Sequence, residues 1–217
     1  MINIEPLWNK GVTDMPTLYF VFIGLFTFVA GTWILGTWLR KNPSKENAEK
    51  SSRVMHFLFF AGLGAPITLG LFSPGFTHFD ELVGLKSLPW KTFFLVLGIL
   101  LAVPGLYFMG TTNKLLRALG SGANAFRLTK RIVADDIYKR TRNPMSLGYY
   151  LLALALGFVS DSTFLTLFAA LGVIPAHIFF LKYFEETELR LRFGDSYLEY
   201  KRSVPFLIPS FKQTSQK

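Results

Sequence analysis

Cysteine is absent from this chain, histidine occurs three times, and acidic residues are outnumbered by basic ones, 14 to 23. Without cysteine there is no disulfide, no thiolate nucleophile and no thiolate-bound metal. His56, His78 and His177 lie far apart with no metal-ligand spacing, so no metal is expected. No internal repeat and no low-complexity tract occurs. The net charge of +9 comes with no nucleic-acid recognition module, which excludes nucleic acid as the expected partner. The N-terminus also lacks the basic region and short apolar core of a cleaved signal, so the first apolar run is expected to be retained.

Long charge-free stretches stand out instead. Apolar residues make up 51% of the chain, 23 of them phenylalanine, and mean hydropathy is +0.36. A bilayer core of roughly 30 Å needs about 20 apolar residues per helix. Five stretches approach that length: Thr17 to Leu39, Val54 to Phe72, Thr92 to Gly110, Met145 to Val159 and Ser162 to Leu181. The fourth is the shortest. Pro66, Pro104 and Pro175 fall inside spans, where proline is tolerated and usually bends the helix.

The connecting segments carry 3 and 20 basic residues in alternate compartments. That asymmetry predicts an outside N-terminus and a cytoplasmic C-terminus. The excess charge then faces anionic lipid headgroups. The expected fold is an all-α polytopic membrane bundle of about five transmembrane helices with a C-terminal cytoplasmic cofactor-binding segment. A three-span region over 1–110 would precede a catalytic region over 111–217.

Between the spans, the polar segment Lys41 to Arg53 reads as a loop with a short helix. Ser73 to Trp90 reads as an ordered outer loop. Lys114 to Leu119 has helical spacing, Gly120 and Gly122 break it, and Phe126 to Val133 suits an extended strip. Lys182 to Phe193 continues the fifth helix into water and stops at Gly194, with a further turn over Asp195 to Tyr200.

Polar clusters flank the last two spans. Arg142-Asn143-Pro144-Met145 opens the fourth, with proline at a first-turn position where a missing N–H is harmless. Free N–H groups at such a helix start can bind a carboxylate or another polar ligand. Glu185-Glu186 closes the fifth. Only Ser160 and Asp161 separate these spans, so they must form an antiparallel hairpin and bring both clusters to one membrane face. Taken singly, these residues have plainer readings. Arg142 suits a positive-inside anchor. Glu186 with Arg190 and Glu188 with Arg192 are i,i+4 pairs typical of a solvated face, the preferred reading for Glu188. Tyr197 and Tyr200 suit the interface, Lys201 and Arg202 suit lipid headgroups, and His177 suits packing.

The ordered set is more specific than any member. It runs Tyr138-x-x-x-Arg142-Asn143-Pro144-Met145-Ser146-Leu147-Gly148, then Glu185-Glu186-x-x-Leu189-x-x-x-Phe193-Gly194, then Tyr197-x-x-Tyr200 with Val204-Pro205 and Pro209. Over about Lys130 to Pro209 it resembles the isoprenylcysteine carboxyl methyltransferases and the related phospholipid methyltransferases. The resemblance implies an integral-membrane enzyme that uses S-adenosylmethionine. It implies Arg142, Asn143 and Glu186 as catalytic residues. Cofactor contacts would come from Lys130, Val133, Tyr138, Asn143, Pro144, Met145, Ser146, Glu185 and Glu186. Asn143 stands where the family usually has histidine, and Ser146 where it has tyrosine. Asn143 can still hydrogen-bond, but it cannot transfer a proton.

The implied partners are the lipid bilayer and a lipophilic or small-molecule methyl acceptor: a prenylcysteine carboxylate, a phospholipid amine or a small thiol. A bacterial inner membrane is the expected location. Two other classes fit less of the pattern. A sterol-type reductase using NADPH would want more than five spans, and a non-catalytic scaffold would follow from the changes at Asn143 and Ser146.

Overall fold

The computed structural model describes the backbone over 7–65, 76–118 and 132–210, with side chains described over 15–65, 78–118 and 132–210. Among these residues all regular structure is helical. Helix α1 covers Leu7–Lys41, starting earlier than its apolar run, and α2 covers Lys45–Phe59, with a wide π turn over Phe60–Gly64 continuing it. A short α3, Phe76–Leu82, precedes α4, Lys91–Ala118. Helix α5 is Pro144–Val159, α6 is the continuous stretch Thr163–Phe193, and α7 is Asp195–Ser203.

Among the described residues, three helices are long and apolar enough to cross a membrane: Met15–Lys41 of α1, α4 and α6. Helix α5 is apolar but has 16 residues, roughly 24 Å at 1.5 Å per residue and short of a full hydrocarbon core. The second expected span is described only as far as Ala65, and Pro66 with its expected kink lies outside the described residues. Large side chains along α1 and α4 stay exposed, among them Phe26, Ile99, Leu100 and Val103. On a helix this apolar, such a surface suits lipid.

Two readings of the connections need correction. The polar segment 41–53 is not mainly a loop. Ser44 caps Asn47 N–H at 3.1 Å, α2 starts at once, and Ala48, Ser51 and Ser52 are buried. A capping serine followed by a run free of glycine and proline favours helix over loop despite the charges. The segment read as an outer loop contains the helix α3, and Asp80 on it accepts a hydrogen bond from Phe164 N–H at 2.6 Å. Helix α4 runs on to Ala118, as the spacing from Lys114 predicts, while the glycines after it and most of the strip 126–133 lie outside the described residues.

Helices α4 and α5 touch backbone to backbone. A Cβ on Gly148 would lie 2.9 Å from Gly105 O, and one on Gly105 would lie 3.2 Å from Gly148 O. Small residues permit this close crossing where apolar lipid gives helices no hydrophobic reason to associate. Helix α6 contains two wide turns. That over Phe168–Val173 precedes Pro175, whose ring and missing N–H disturb a regular α-turn. The second covers Leu181–Glu185, beside the acidic pair.

A core of Phe28, Leu39, Met55, Leu63, Phe180, Leu181 and Phe184 joins α1, α2 and α6. His177 is packed here, as expected, with Tyr150 Oη 2.8 Å from its Nδ1 and the rings of Phe28, Phe59 and Phe180 around it.

Candidate active site

The hairpin begins at a short turn. Ser162 caps Leu165 N–H at 3.1 Å and Asp161 adopts a φ of 56°. The two chains then run antiparallel, so the start of α5 and the inner part of α6 reach the same end of the bundle.

At the start of α5, Pro144 occupies the first helical position and Asn143 the cap position. The Asn143 side chain does not cap the helix. Its Nδ2 donates instead to Phe206 O at 2.9 Å. Around it, Arg142 N–H donates to Pro205 O and Ser210 N–H to Arg140 O, both at 2.9 Å. Thr141 Oγ1 donates to Leu207 O at 2.9 Å. The C-terminal segment 204–210 is thereby strapped across residues 140–143. Pro205 and Pro209 suit this path, because neither can be drawn into a helix.

Arg142 is the hub. Its Nη1 lies 3.0 Å from Glu186 Oε1 and 3.3 Å from Tyr197 Oη, with the side chain only 8% exposed. Its Nε is buried and has no hydrogen-bond partner among the described residues. Lys201 closes on the other oxygen of Glu186, and Lys182 stands 4.0 Å away while lying over the Phe206 ring. Tyr200 donates to Tyr138 O at 2.9 Å, tying α7 to the short turn Asp136–Lys139. Burial pushes the phenols of Tyr138, Tyr197 and Tyr200 well above their ordinary value, with further upward pressure from Glu185 on Tyr138 and Glu186 on Tyr197. They remain protonated at physiological pH. Tyr197 accepts from Arg142, so its own proton is available to a ligand.

Hydrogen bonds therefore join Arg142, Glu186, Tyr197 and Lys201 directly, with Asn143 bonded to the strap at Phe206 O and Tyr200 to the Tyr138 carbonyl. Pro144 is buried, Met145 and Ser146 are half-buried on the first turn of α5, and Val133 is buried without a polar link to the group. Lys130 lies outside the described residues. Two adjacent acids divide the work. Glu186 is engaged by three cations, whereas the half-buried Glu185 carboxylate makes no hydrogen bond or ion pair among the described residues.

Tyr197 and Lys201 are bonded to Arg142 and Glu186, and Tyr200 to the Tyr138 carbonyl, so each has a partner within the fold beyond the interface or headgroup role read for it. The solvated-face reading of Glu188 fails. Glu188 and Arg192 pair at 2.6 Å with side chains 3% and 6% exposed. Helix α2 packs over that face of α6 and shuts out water, which i,i+4 spacing cannot foretell. Sequence reasoning also missed Phe206, and the only signal for the strap was the pair of prolines flanking it.

Residues 93–196 match the phospholipid methyltransferase family. The match takes in a little under half of the chain. The match begins near the start of α4, spans the α5–α6 hairpin and ends just inside α7, so it covers Arg142 to Glu186 while leaving α1, α2 and the strap outside. The family is one of S-adenosylmethionine-dependent membrane methyltransferases, within the group that also holds the isoprenylcysteine enzymes. Comparison with curated proteins and with solved structures gave no match.

Proposed function

We propose that this chain transfers a methyl group to a lipophilic or membrane-associated acceptor, at a site on the cytoplasmic face built from the α5–α6 hairpin and the C-terminal strap. The candidate acceptors are a prenylcysteine-like carboxylate, a phospholipid amine and a small thiol. The architecture proposed with it has five spans, an outside N-terminus and a cytoplasmic C-terminus. Residues 1–110 form the membrane region and 111–217 the catalytic one. The basic excess on alternate segments supports that orientation.

One observation carries the reading. The unpaired Glu185 carboxyl adjoins Glu186 of the saturated Arg142–Glu186–Lys201 cluster, and the cap residue of α5, next to Arg142, is turned away from its helix. The donor set fits S-adenosylmethionine. A carboxylate without a partner suits a cation, namely an ammonium or a sulfonium. The Tyr197 hydroxyl, the orphaned Arg142 Nε and the first-turn N–H groups of α5 suit a carboxylate. Tyr138 and Met145 offer flat and apolar surface. When bound, the cofactor supplies an activated methyl group, so positioning can provide much of the acceleration. The protein's own part is to hold Arg142 rigid through Glu186, set Glu185 against positive charge and cover the site with the strap.

Calorimetric titration of the detergent-purified protein with S-adenosylhomocysteine, with NADPH in parallel, tests this. Saturable binding of the first alone is expected. Glu185→Ala and Asn143→Ala should both weaken it while membrane insertion stays normal. NADPH binding in its place would replace the reading with a reductase.

A further inference from the structure

The wide turn at Leu181–Glu185 has no cause in its own sequence. The earlier one in α6 precedes Pro175, but Leu181-Lys182-Tyr183-Phe184-Glu185 contains neither proline nor glycine. Wide turns are rare, so something outside the segment must hold this one. The last turns of α1 lie against it. Gly36 there is buried, and a Cβ on it would lie 2.7 Å from the Tyr183 ring, so the ring fills the space that glycine leaves. Thr37 Oγ1 lies 2.9 Å from Tyr183 Oη. The Arg40 guanidinium covers the ring at 3.7 Å from its centroid, and its Nη1 donates back to Gly36 O at 3.1 Å.

The main chain is held as well. Arg40 Nη2 donates to Tyr183 O, which also accepts from Thr187 Oγ1 at 3.3 Å. Side-chain donors at a helix carbonyl compete with the regular ladder and favour a distorted turn. Just beyond, Glu186 N–H reaches five residues back to Leu181 O. The consequence is one of register. Each residue of an α-helix advances about 100° around the axis, and a wide turn takes up about one extra residue. Relaxed to regular pitch, the turn would bring Glu185 to the direction that Glu186 now faces, and Arg142 would meet the other acid. A headgroup anchor is the plain reading of Arg40 at the end of an apolar helix. Both of its terminal nitrogens are nevertheless engaged inside the fold.

We infer that Gly36, Thr37 and Arg40 form a positioning socket for Tyr183, which sets the register of the wide turn so that Glu186, and not Glu185, pairs with Arg142. For its bearing on the cofactor the inference rests on the methyltransferase reading, and it adds positioning residues to that same site. The socket acts through Tyr183 and the turn, not by touching a ligand. Helix α1 is outside the family-matched stretch, so the choice between two adjacent acids resides on a part of the chain that the family match does not cover. The guanidinium is the part that matters at position 40. A lysine would keep the positive charge, but it has no flat fork with which to stack on the ring and reach two carbonyls at once.

The test asks which acid is coupled to Arg142 in the full-length protein. Double-mutant cycles in melting temperature combine Arg142→Gln with Glu186→Gln or with Glu185→Gln. With the socket intact, strong coupling is expected to Glu186 and little to Glu185. Arg40→Lys keeps a charge for lipid headgroups, and Thr37→Val removes the hydroxyl at nearly constant size. In either background coupling to Glu186 should weaken and coupling to Glu185 should appear. S-adenosylhomocysteine affinity, read by calorimetry, should drop about tenfold in each, the scale of one lost charged hydrogen bond. A lower melting temperature with Glu186 still the coupled acid would show a merely structural role and overturn the inference. Wild-type coupling and affinity in Arg40→Lys would also overturn it, by returning Arg40 to the headgroups. So would a shift of coupling that leaves affinity untouched, since the turn would then not serve the site. A wild type that binds no S-adenosylhomocysteine would instead remove the methyltransferase reading, while the cycles in melting temperature would still read the register.

Discussion

The two ends of the α5–α6 hairpin are built in different ways. At the outer end the turn closes locally, with Ser160 N–H returning to Leu156 O at 3.0 Å and Ser162 capping α6, and its long-range polar ties all go to one segment: Asp161 to Lys91, Thr163 to Lys86 O and Phe164 N–H to Asp80. At the inner end Arg142 holds partners 44 and 55 residues away, and Asn143 reaches 63 residues on to the strap. A turn is stabilised by local backbone geometry and tolerates change one residue at a time. A site assembled across the chain depends on every element that delivers a member to it.

Changes at the inner end should therefore cost both stability and cofactor affinity, and changes at the outer end stability alone. The largest effect is expected for Glu186→Ala. It leaves Arg142 buried without its carboxylate, a loss of about 3–5 kcal/mol for a broken buried pair. Melting temperature and S-adenosylhomocysteine affinity should fall together, and unchanged affinity would detach Glu186 from the site. Next comes Gly148→Ala, whose Cβ meets Gly105 O and pushes α5 off α4, at about 1–3 kcal/mol. It should lower the melting temperature and loosen cofactor binding more modestly, because the shifted helix carries Asn143.

Asn143→Ala removes one hydrogen bond to the strap, worth about 1 kcal/mol. An affinity loss of up to about tenfold is expected, and none at all would show that the strap holds without it. Ser162→Ala should cost about 1 kcal/mol for a lost helix cap. Thermal unfolding should register that loss while calorimetry with S-adenosylhomocysteine registers nothing. The smallest effect concerns pH. With Tyr138, Tyr197 and Tyr200 raised by burial, their protons stay in place from about pH 6 to about pH 9. Their contribution to the folded state is complete in that range. It fades only at higher pH, as the unfolded phenols begin to ionise. Cofactor affinity that moved through a phenol titration within the range would contradict their burial.

The same contrast explains which readings were legible in the sequence. Met15–Lys41, α4 and α6 were evident because apolar runs of that length have few alternatives. The hairpin was evident because two residues between apolar stretches leave no other geometry. The meeting of Arg142 and Glu186 followed from that hairpin. The Glu188–Arg192 pair was misjudged, since a local pair has the same spacing whether water or α2 covers it. The partners of Lys201 and Tyr197 lie 15 and 55 residues away, and no local pattern announces them. The segment 41–53 was read by its charge as a loop, and its cap at Ser44 decided otherwise.

By itself, then, the sequence determined what depends on local chemistry and composition: the helical class, the long apolar runs, the antiparallel hairpin and the ordered motif of the methyltransferases. Only the tertiary structure decided which acid is spent and which is free. It alone laid the strap over the start of α5 and brought Ser52 and His56 of α2 against Glu185. Burial and charge pairing are set by neighbours far away in the chain, and a residue's type and position carry no record of what will fold against it.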